Sequence, residues 1–135
     1  MVGAVFLFLL ASQLRGDWIY FHAWEKANPK AVMQYVNSHS DPGMAIVRPA
    51  YFSAHYSYYD QTGARVMDQD KMDSAGKRSS LHGKKVLLVA FDVPSDPVTD
   101  AFLSEFHETA SRHFPGFARL GITVYALESK SPSRK

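Results

Sequence analysis

The sequence predicts an α/β fold, in which a small, mostly parallel sheet of about four strands is layered with helices and preceded by an apolar N-terminal helix. Strand-like and helix-like patterns alternate along the chain, an order typical of a parallel sheet covered by helices. The run from Val86 to Phe91 is apolar throughout, as in a strand buried on both faces of a sheet. With 135 residues, 46% of them hydrophobic and 21% charged, the chain has the composition of one globular domain. We expect an apolar helix over residues 1–16, an α/β domain over 17–128 and a disordered tail over 129–135.

The first segment of the chain, Val2 to Leu14, carries no charge. As a helix it would reach about 20 Å, short of the roughly 30 Å hydrocarbon core of a bilayer. A signal peptide is disfavoured, because no Lys or Arg precedes the apolar run and no small residue stands at the cleavage position. A buried core helix is the other alternative. Four aromatic residues that suit a membrane interface follow the segment: Trp18, Tyr20, Phe21 and Trp24. We therefore expect residues 1–16 to be a membrane anchor or the end of a membrane helix.

The next elements are a helix and a short strand. Asn28 is a good N-cap and Pro29 a good first helical residue, so a helix is predicted that ends near His39, before a turn rich in proline and glycine. Met44 to Val47 then reads as a short apolar strand.

Aromatic residues recur at helical spacing between Ala50 and Tyr59. One face of this predicted helix would enter the core. The other carries Tyr51, His55 and Tyr58, whose rings could stack on a sugar or lie against lipid. The alternative is that these three side chains pack against neighbouring loops. We name Tyr51, His55 and Tyr58 as the candidate ligand-binding residues.

In the second half of the chain, the sequence predicts a short strand at Arg65 to Met67, followed by two further strands and a helix. The polar stretch from Asp68 to Gly83 is predicted to be a loop. Val86 to Phe91 is the central strand, and a helix is predicted from Asp96 to just before Pro115. Its expected buried stripe is Val98, Phe102, Phe106 and Ala110. A last strand is predicted from Phe117 to Leu127, with a possible bend at Gly121.

Several function classes lack their motifs in this sequence. The net charge of +2 is far from the basic stripe of a nucleic-acid-binding protein, so we expect no nucleic-acid partner. There is no cysteine, the six histidines lack zinc-binding spacing, and nucleotide-binding and nucleophile-elbow motifs are missing. Asp68 and Asp70 follow a predicted strand and could face a divalent cation, but so short a pattern is common by chance. We assign no catalytic residue, no metal and no cofactor, and whether the chain is an enzyme stays open.

Several stretches occur in an order that is informative as a set. They are Ala31 to Val36, His39 to Gly43, the Tyr58-Tyr59 pair, Val86 to Val89, and Gly121 to Leu127. In this order, from Asn28 to Leu127, the chain resembles the soluble C-terminal domain of polytopic GT-C glycosyltransferases, which use lipid-phosphosugar donors. One departure is Met44, which stands where that pattern often has an acidic residue.

The resemblance implies an accessory role. Those enzymes carry their catalytic carboxylate on an early extracytoplasmic loop, to which nothing in this chain corresponds. The expectation is a non-catalytic domain that caps the transmembrane helices of a glycosyltransferase and contacts the acceptor. The alternatives are a membrane-tethered α/β binding or interaction module unrelated to sugar transfer, and a metal-dependent enzyme using Asp68 and Asp70.

The charge pattern and the family resemblance place the domain on opposite sides of the membrane. Arg15, Lys26 and Lys30 follow the apolar segment, which by the positive-inside tendency would place the domain in the cytoplasm. The resemblance implies the opposite side. We expect a membrane-associated protein with its soluble domain on the extracytoplasmic side.

Overall fold

The computed structural model describes residues 5, 7, 9–15, 29–50, 57–116 and 121–130. In chain order its elements are α1 (Pro29–His39), β1 (Ala45–Arg48), β2 (Arg65–Asp68), a 3₁₀ helix (Gln69–Met72), α2 (Ala75–Ser79), β3 (Lys85–Phe91), α3 (Pro97–Glu105), β4 (Phe106–Phe114) and β5 (Ile122–Ser129). The predicted helix after Asn28 and the predicted central strand are confirmed. The short strands at β1 and β2 also occur, each within a residue of its predicted bounds.

The strands form one five-stranded mixed sheet in the order β2-β1-β3-β5-β4. Strand β1 is parallel to both β2 and β3, whereas β5 is antiparallel to both β3 and β4. The α/β class is therefore confirmed, but the prediction of about four mostly parallel strands is wrong. The antiparallel ladders are much the longer ones, so the sheet is mostly antiparallel.

Strand β4 accounts for this error. The spacing of Phe102, Phe106 and Ala110 predicted one helix up to Pro115, but the helix ends at Glu105. Phe106 has extended backbone, with φ −110° and ψ 162°, and its aromatic side chain is buried. From there the chain pairs with β5 along its whole length. The backbone groups are thus satisfied across the sheet instead of within a helix, and the tertiary pairing overrides the local spacing.

The predicted loop from Asp68 to Gly83 is also wrong, because it contains the 3₁₀ helix and α2. Ser74 caps α2, its side chain accepting a hydrogen bond from the backbone N–H of Lys77. Met72 and Leu81 anchor this connection in the core. Helices of four and five residues are too short to leave a periodic apolar pattern, which is why the sequence does not reveal them.

The sheet is covered on both faces. On one face, α1 packs against the strands. The buried residues of this layer include Val32, Val36, Ile46, Leu87 and Val89. On the other face, α3 and the β2–β3 connection pack against the strands. The buried residues of this layer include Val47, Leu81, Leu88, Phe102 and Phe106. Residues 86–90 of β3 are all buried. The predicted burial of the central strand on both faces is confirmed.

An ion pair joins α2 to α3 at the surface of the second layer. Arg78 donates to both carboxylate oxygens of Glu105, with Nη2–Oε1 2.7 Å and Nε–Oε2 3.0 Å, and its Nη1 donates to the carbonyl of Met72 at 2.9 Å. The guanidinium is buried and the carboxylate largely so. Hydrogen bonding from Arg78 lowers the pKa of Glu105. The pair therefore ties the short helix α2 and the carbonyl of Met72 to the last residue of α3.

Only Val5, Leu7 and residues 9–15 of the apolar N-terminal segment are described. Their backbone is helical and their side chains are exposed. A helix over residues 1–16 as a whole is not shown and stays a prediction. In the described part of the chain, no helix combines the length and the apolar character needed to cross a membrane. The aromatic residues 18–24 and the end of the tail, 131–135, lie outside the described residues.

Candidate functional site

The carboxyl ends of four strands meet at one edge of the sheet. Strands β1, β2 and β3 are mutually parallel, and β4 runs with β3 because both are antiparallel to β5. Ligands of open α/β sheets bind outside such a carboxyl edge, where successive connections leave in opposite directions. Here β2 and β3 lie on opposite sides of β1, so that reversal falls between β1 and β3. This edge is therefore where a functional site is expected.

The three candidate ligand-binding residues stand in the connection that follows β1. Tyr51 and His55 lie outside the described residues. Tyr58 is 82% exposed, and its ring meets that of Tyr59 edge to face with centroids 4.9 Å apart. Tyr59 in turn packs against the core on the α1 face. An exposed ring on a fixed support is compatible with stacking, and the ligand-binding role of the three residues stays a prediction.

The two carboxylates considered for a metal lie at and just after the end of β2 but have separate surroundings. Asp68 pairs with the Nζ of Lys71 at 3.0 Å, while Asp70 is exposed on the 3₁₀ helix. Between them, Gln69 turns inward, where its side-chain amide donates to Thr99 at 3.0 Å and to Asp96. Within the described ranges, no three carboxylate or imidazole groups are placed to share a metal ion. Nothing in this arrangement favours the metal-dependent alternative.

A polar cluster that sequence reasoning missed lies at the same edge, on the α3 face. Asp92 follows directly after β3, Thr123 is the second residue of β5, and His113 is the last but one of β4. The Thr123 hydroxyl donates to Asp92 Oδ1 at 2.6 Å. His113 stands opposite Thr123 in the β4–β5 register, and its Nδ1 lies 3.2 Å from the Thr123 hydroxyl oxygen. Strands β4 and β5 and the residue directly after β3 thus each contribute one side chain to the Asp92–Thr123–His113 cluster.

The second carboxylate oxygen of Asp92 also faces the imidazole. Oδ2 lies 2.9 Å from His113 Nδ1, the distance of an ion pair when the ring is protonated. Even so, no donor is aligned on this buried oxygen, because the Nδ1–H direction favours the hydroxyl of Thr123. The 2.9 Å separation is therefore a close electrostatic contact, and the aligned hydrogen bonds run through Thr123.

Gly121 allows this close approach. A Cβ at this position would lie 2.4 Å from Asp92 Oδ2 and 2.7 Å from His113 Cε1, nearer than real Cβ atoms come. The carbonyl of Gly121 also accepts a hydrogen bond from the backbone N–H of Asp92 at 2.9 Å. The backbone at the start of β5 is thus packed directly against the cluster, and a side chain at position 121 would displace those of Asp92 and His113. The predicted bend within a strand at Gly121 is instead the residue before the strand begins.

Tyr125 completes the polar edge on the α3 face. Burial raises the pKa of its hydroxyl, against the smaller, opposing effect of the neighbouring Thr123 side chain. The negative charge of Asp92 acts in the same direction as burial. The phenol therefore stays protonated and can donate a hydrogen bond throughout the neutral range.

His113 could not be selected from the sequence, because it fell within the predicted helix, where its neighbours across the sheet are invisible. The one available signal was Asp92, an acidic residue directly after the central strand. That position is where α/β sheets commonly place functional side chains.

Comparison of the chain with protein-family models, curated proteins and solved structures finds no match. The resemblance to glycosyltransferase C-terminal domains therefore stays a prediction from the sequence.

Proposed function

We propose that this chain is a non-catalytic accessory domain of a membrane glycosyltransferase system, held at the membrane by its apolar N-terminal segment. In this role it caps the transmembrane part of its partner and contacts the acceptor on the extracytoplasmic side. The observation that carries the proposal is a cluster of exposed apolar side chains near the N-terminus: Val5, Leu7, Leu9, Leu10 and Leu14.

These five side chains are between 49% and 67% exposed. Soluble proteins rarely leave so many large apolar side chains together in water, and such patches mark membrane or protein contacts. Lipid is favoured by their distribution. With successive helical residues about 100° apart, the five positions cover about 200° of the circumference, whereas a protein groove contacts a stripe of ≳ 100°.

The glycosyltransferase part of the proposal depends on the sequence resemblance. It is supported by the position of the exposed Tyr58 in the connection between β1 and β2, where an aromatic ring could stack on a sugar. It also fits the two carboxylates at the end of β2, since Asp68 is paired with Lys71 and Asp70 is exposed to solvent. Neither lies in the desolvated surroundings typical of a catalytic carboxylate.

Membrane attachment is tested by flotation of the full chain with phosphatidylcholine vesicles. We expect the wild-type chain to float, and a triple variant with Leu9→Ser, Leu10→Ser and Leu14→Ser to bind at least tenfold more weakly, since burial of one leucine contributes about 1.5–3 kcal/mol. Val93→Ser is the matched control, because Val93 is also exposed and apolar but lies before α3. A wild-type chain that stays with the soluble fraction, or equal flotation of all three proteins, would refute membrane attachment.

The alternative, a membrane-tethered binding module unrelated to sugar transfer, predicts the same flotation. The two are separated by deleting the coding sequence of this domain and measuring sugar transfer from lipid-linked donors in native membranes. An accessory domain predicts reduced transfer that the purified chain restores. Unchanged transfer would favour the alternative.

A further inference from the structure

We infer that the Asp92–Thr123–His113 cluster is a contact site for a hydroxyl group of a small polyol, which donates its hydrogen bond to Nε2 of His113. Asp92 and Thr123 are positioning residues that fix the imidazole. The choice of a polyol as the ligand rests on the proposed contact with a sugar acceptor. The hydrogen-bond geometry of the site is independent of that proposal.

The hydrogen bonds of the cluster determine which ring nitrogen of neutral His113 carries the proton. The hydroxyl of Thr123 gives its only proton to Asp92 Oδ1, 2.6 Å away, so that its oxygen can only accept from the ring. Nδ1 of His113, at 3.2 Å from that oxygen and 2.9 Å from Asp92 Oδ2, faces two acceptors. Nδ1 must therefore be the protonated nitrogen. Nε2 is left with its lone pair, as an acceptor for an external donor.

The ring is accessible in this orientation. The side chain of His113 is 58% exposed, and in the described residues no hydrogen bond or ion pair engages Nε2. Its partners, by contrast, are mostly buried: Thr123 is 8% exposed and the Asp92 side chain 28%. A buried support holding an exposed imidazole in one tautomer is the arrangement that positions a histidine for a ligand.

A purely structural role explains these features less well. Thr123 stands on a face filled by apolar residues such as Leu88, Ala90 and Leu127, where a valine of nearly the same shape would pack without a hydroxyl.

The experiment uses long-range ¹⁵N–¹H spectra of the histidine side chains in the full chain, at about pH 8. The probes are myo-inositol and methyl glucoside, titrated through the millimolar range. We expect Nδ1–H for His113, and a shift of its Nε2 resonance on adding polyol. His107, exposed on the same strand and with no ion pair among the described residues, is the internal control and should not shift.

Two variants separate positioning from folding. Thr123→Val leaves Asp92 as the acceptor beside Nδ1 of His113, and should weaken polyol binding about fivefold, the effect of one neutral hydrogen bond, with thermal unfolding still cooperative. His113→Gln should abolish the polyol response, whereas His107→Gln should leave it unchanged. An Nε2–H tautomer in the wild-type chain, no response to either polyol, or equal responses of His107 and His113 would each overturn the inference. Because none of these readouts involves vesicles or sugar transfer, failure here is distinguishable from failure of the proposed function.

Discussion

Phe102 is the residue at which the energetics of this fold can be tested most directly. Its side chain is fully buried on α3, and its ring lies 5.5 Å from that of Phe106, centroid to centroid. Replacing a buried phenylalanine by alanine costs about 3–5 kcal/mol, a range that includes the cavity left behind. Because the contact with the ring of Phe106 is also lost, Phe102→Ala should lower the free energy of unfolding by an amount at the upper end of that range, about 4–5 kcal/mol. That is a large part of the 5–15 kcal/mol by which domains are usually stable.

Urea denaturation followed by far-UV circular dichroism measures this loss. With a slope of roughly 1–3 kcal/mol per molar urea, Phe102→Ala should lower the midpoint by about 2 M without changing the slope. Phe102→Leu, which keeps most of the volume, should cost less than about 1.5 kcal/mol. Tyr58→Ala is the surface control and should stay within about 0.5 kcal/mol of wild type, because its ring is 82% exposed.

The comparison between Phe102→Ala and Tyr58→Ala tests the reasoning itself. If burial of α3 against the sheet supplies the stability, the two losses must differ by at least about 2.5 kcal/mol, the gap between the ranges for buried and surface positions. Equal losses would show that the side chain of Tyr58 is packed, or that α3 is not part of the cooperative core. Either result would contradict the assignment of the two core layers.

Three further predictions concern other parts of the molecule. Gly121→Ala should lower thermal stability by about 1–3 kcal/mol, because its Cβ would lie 2.4 Å from Asp92 Oδ2. The control Gly76→Ala, whose Cβ would have no neighbour within 4 Å, should be neutral or stabilising in the same melting assay. The lowered pKa of Glu105 contributes stability that is complete above its ordinary value of 4.5 and lost as the pH falls through the lower folded-state pKa. Melting temperatures below pH 4.5 should therefore fall more steeply for wild type than for Glu105→Gln, and parallel curves would contradict a role for the pair with Arg78. The purified chain with lipid-linked sugar donors and divalent metal should give neither transfer nor donor hydrolysis, since no general base is assigned.

A matched variant makes the last of these assays decisive. Sugar transfer or donor hydrolysis by the wild-type chain that is lost in Asp70→Asn would refute the accessory role. That result would favour the metal-dependent alternative. Binding of donor or acceptor without turnover agrees with the proposed function.

The sequence was informative wherever a single element carries its own signal. The N-cap and proline at the start of α1, the turn before β1 and the unbroken apolar run of β3 each reflect local chemistry, and all three elements formed as expected. Burial of Phe102 followed from its spacing along α3. These features need no knowledge of which strands are neighbours.

The errors arise where pairing across the sheet decides the structure. Residues 107–113 of β4 are exposed, so they lack the alternation of apolar and polar residues that marks a strand. Only the ladder with β5 makes this segment extended. The candidate site was missed for the same reason, because His113 acquires its partners through that ladder. No spacing in the sequence connects it to Asp92 or Thr123.

A β-bulge in β4 links the core to the candidate site. Phe106 and Phe114 are eight residues apart, so in a regular strand both would point to the same face. The register shift between Glu108 and Ala110 inserts one residue, and the two rings instead reach opposite faces: Phe106 enters the α3 layer and Phe114 packs on the α1 layer. That same shift places His113, the residue before Phe114, on the α3 face opposite Thr123. The register that anchors both ends of the edge strand in the core is therefore the register that assembles the imidazole with its carboxylate.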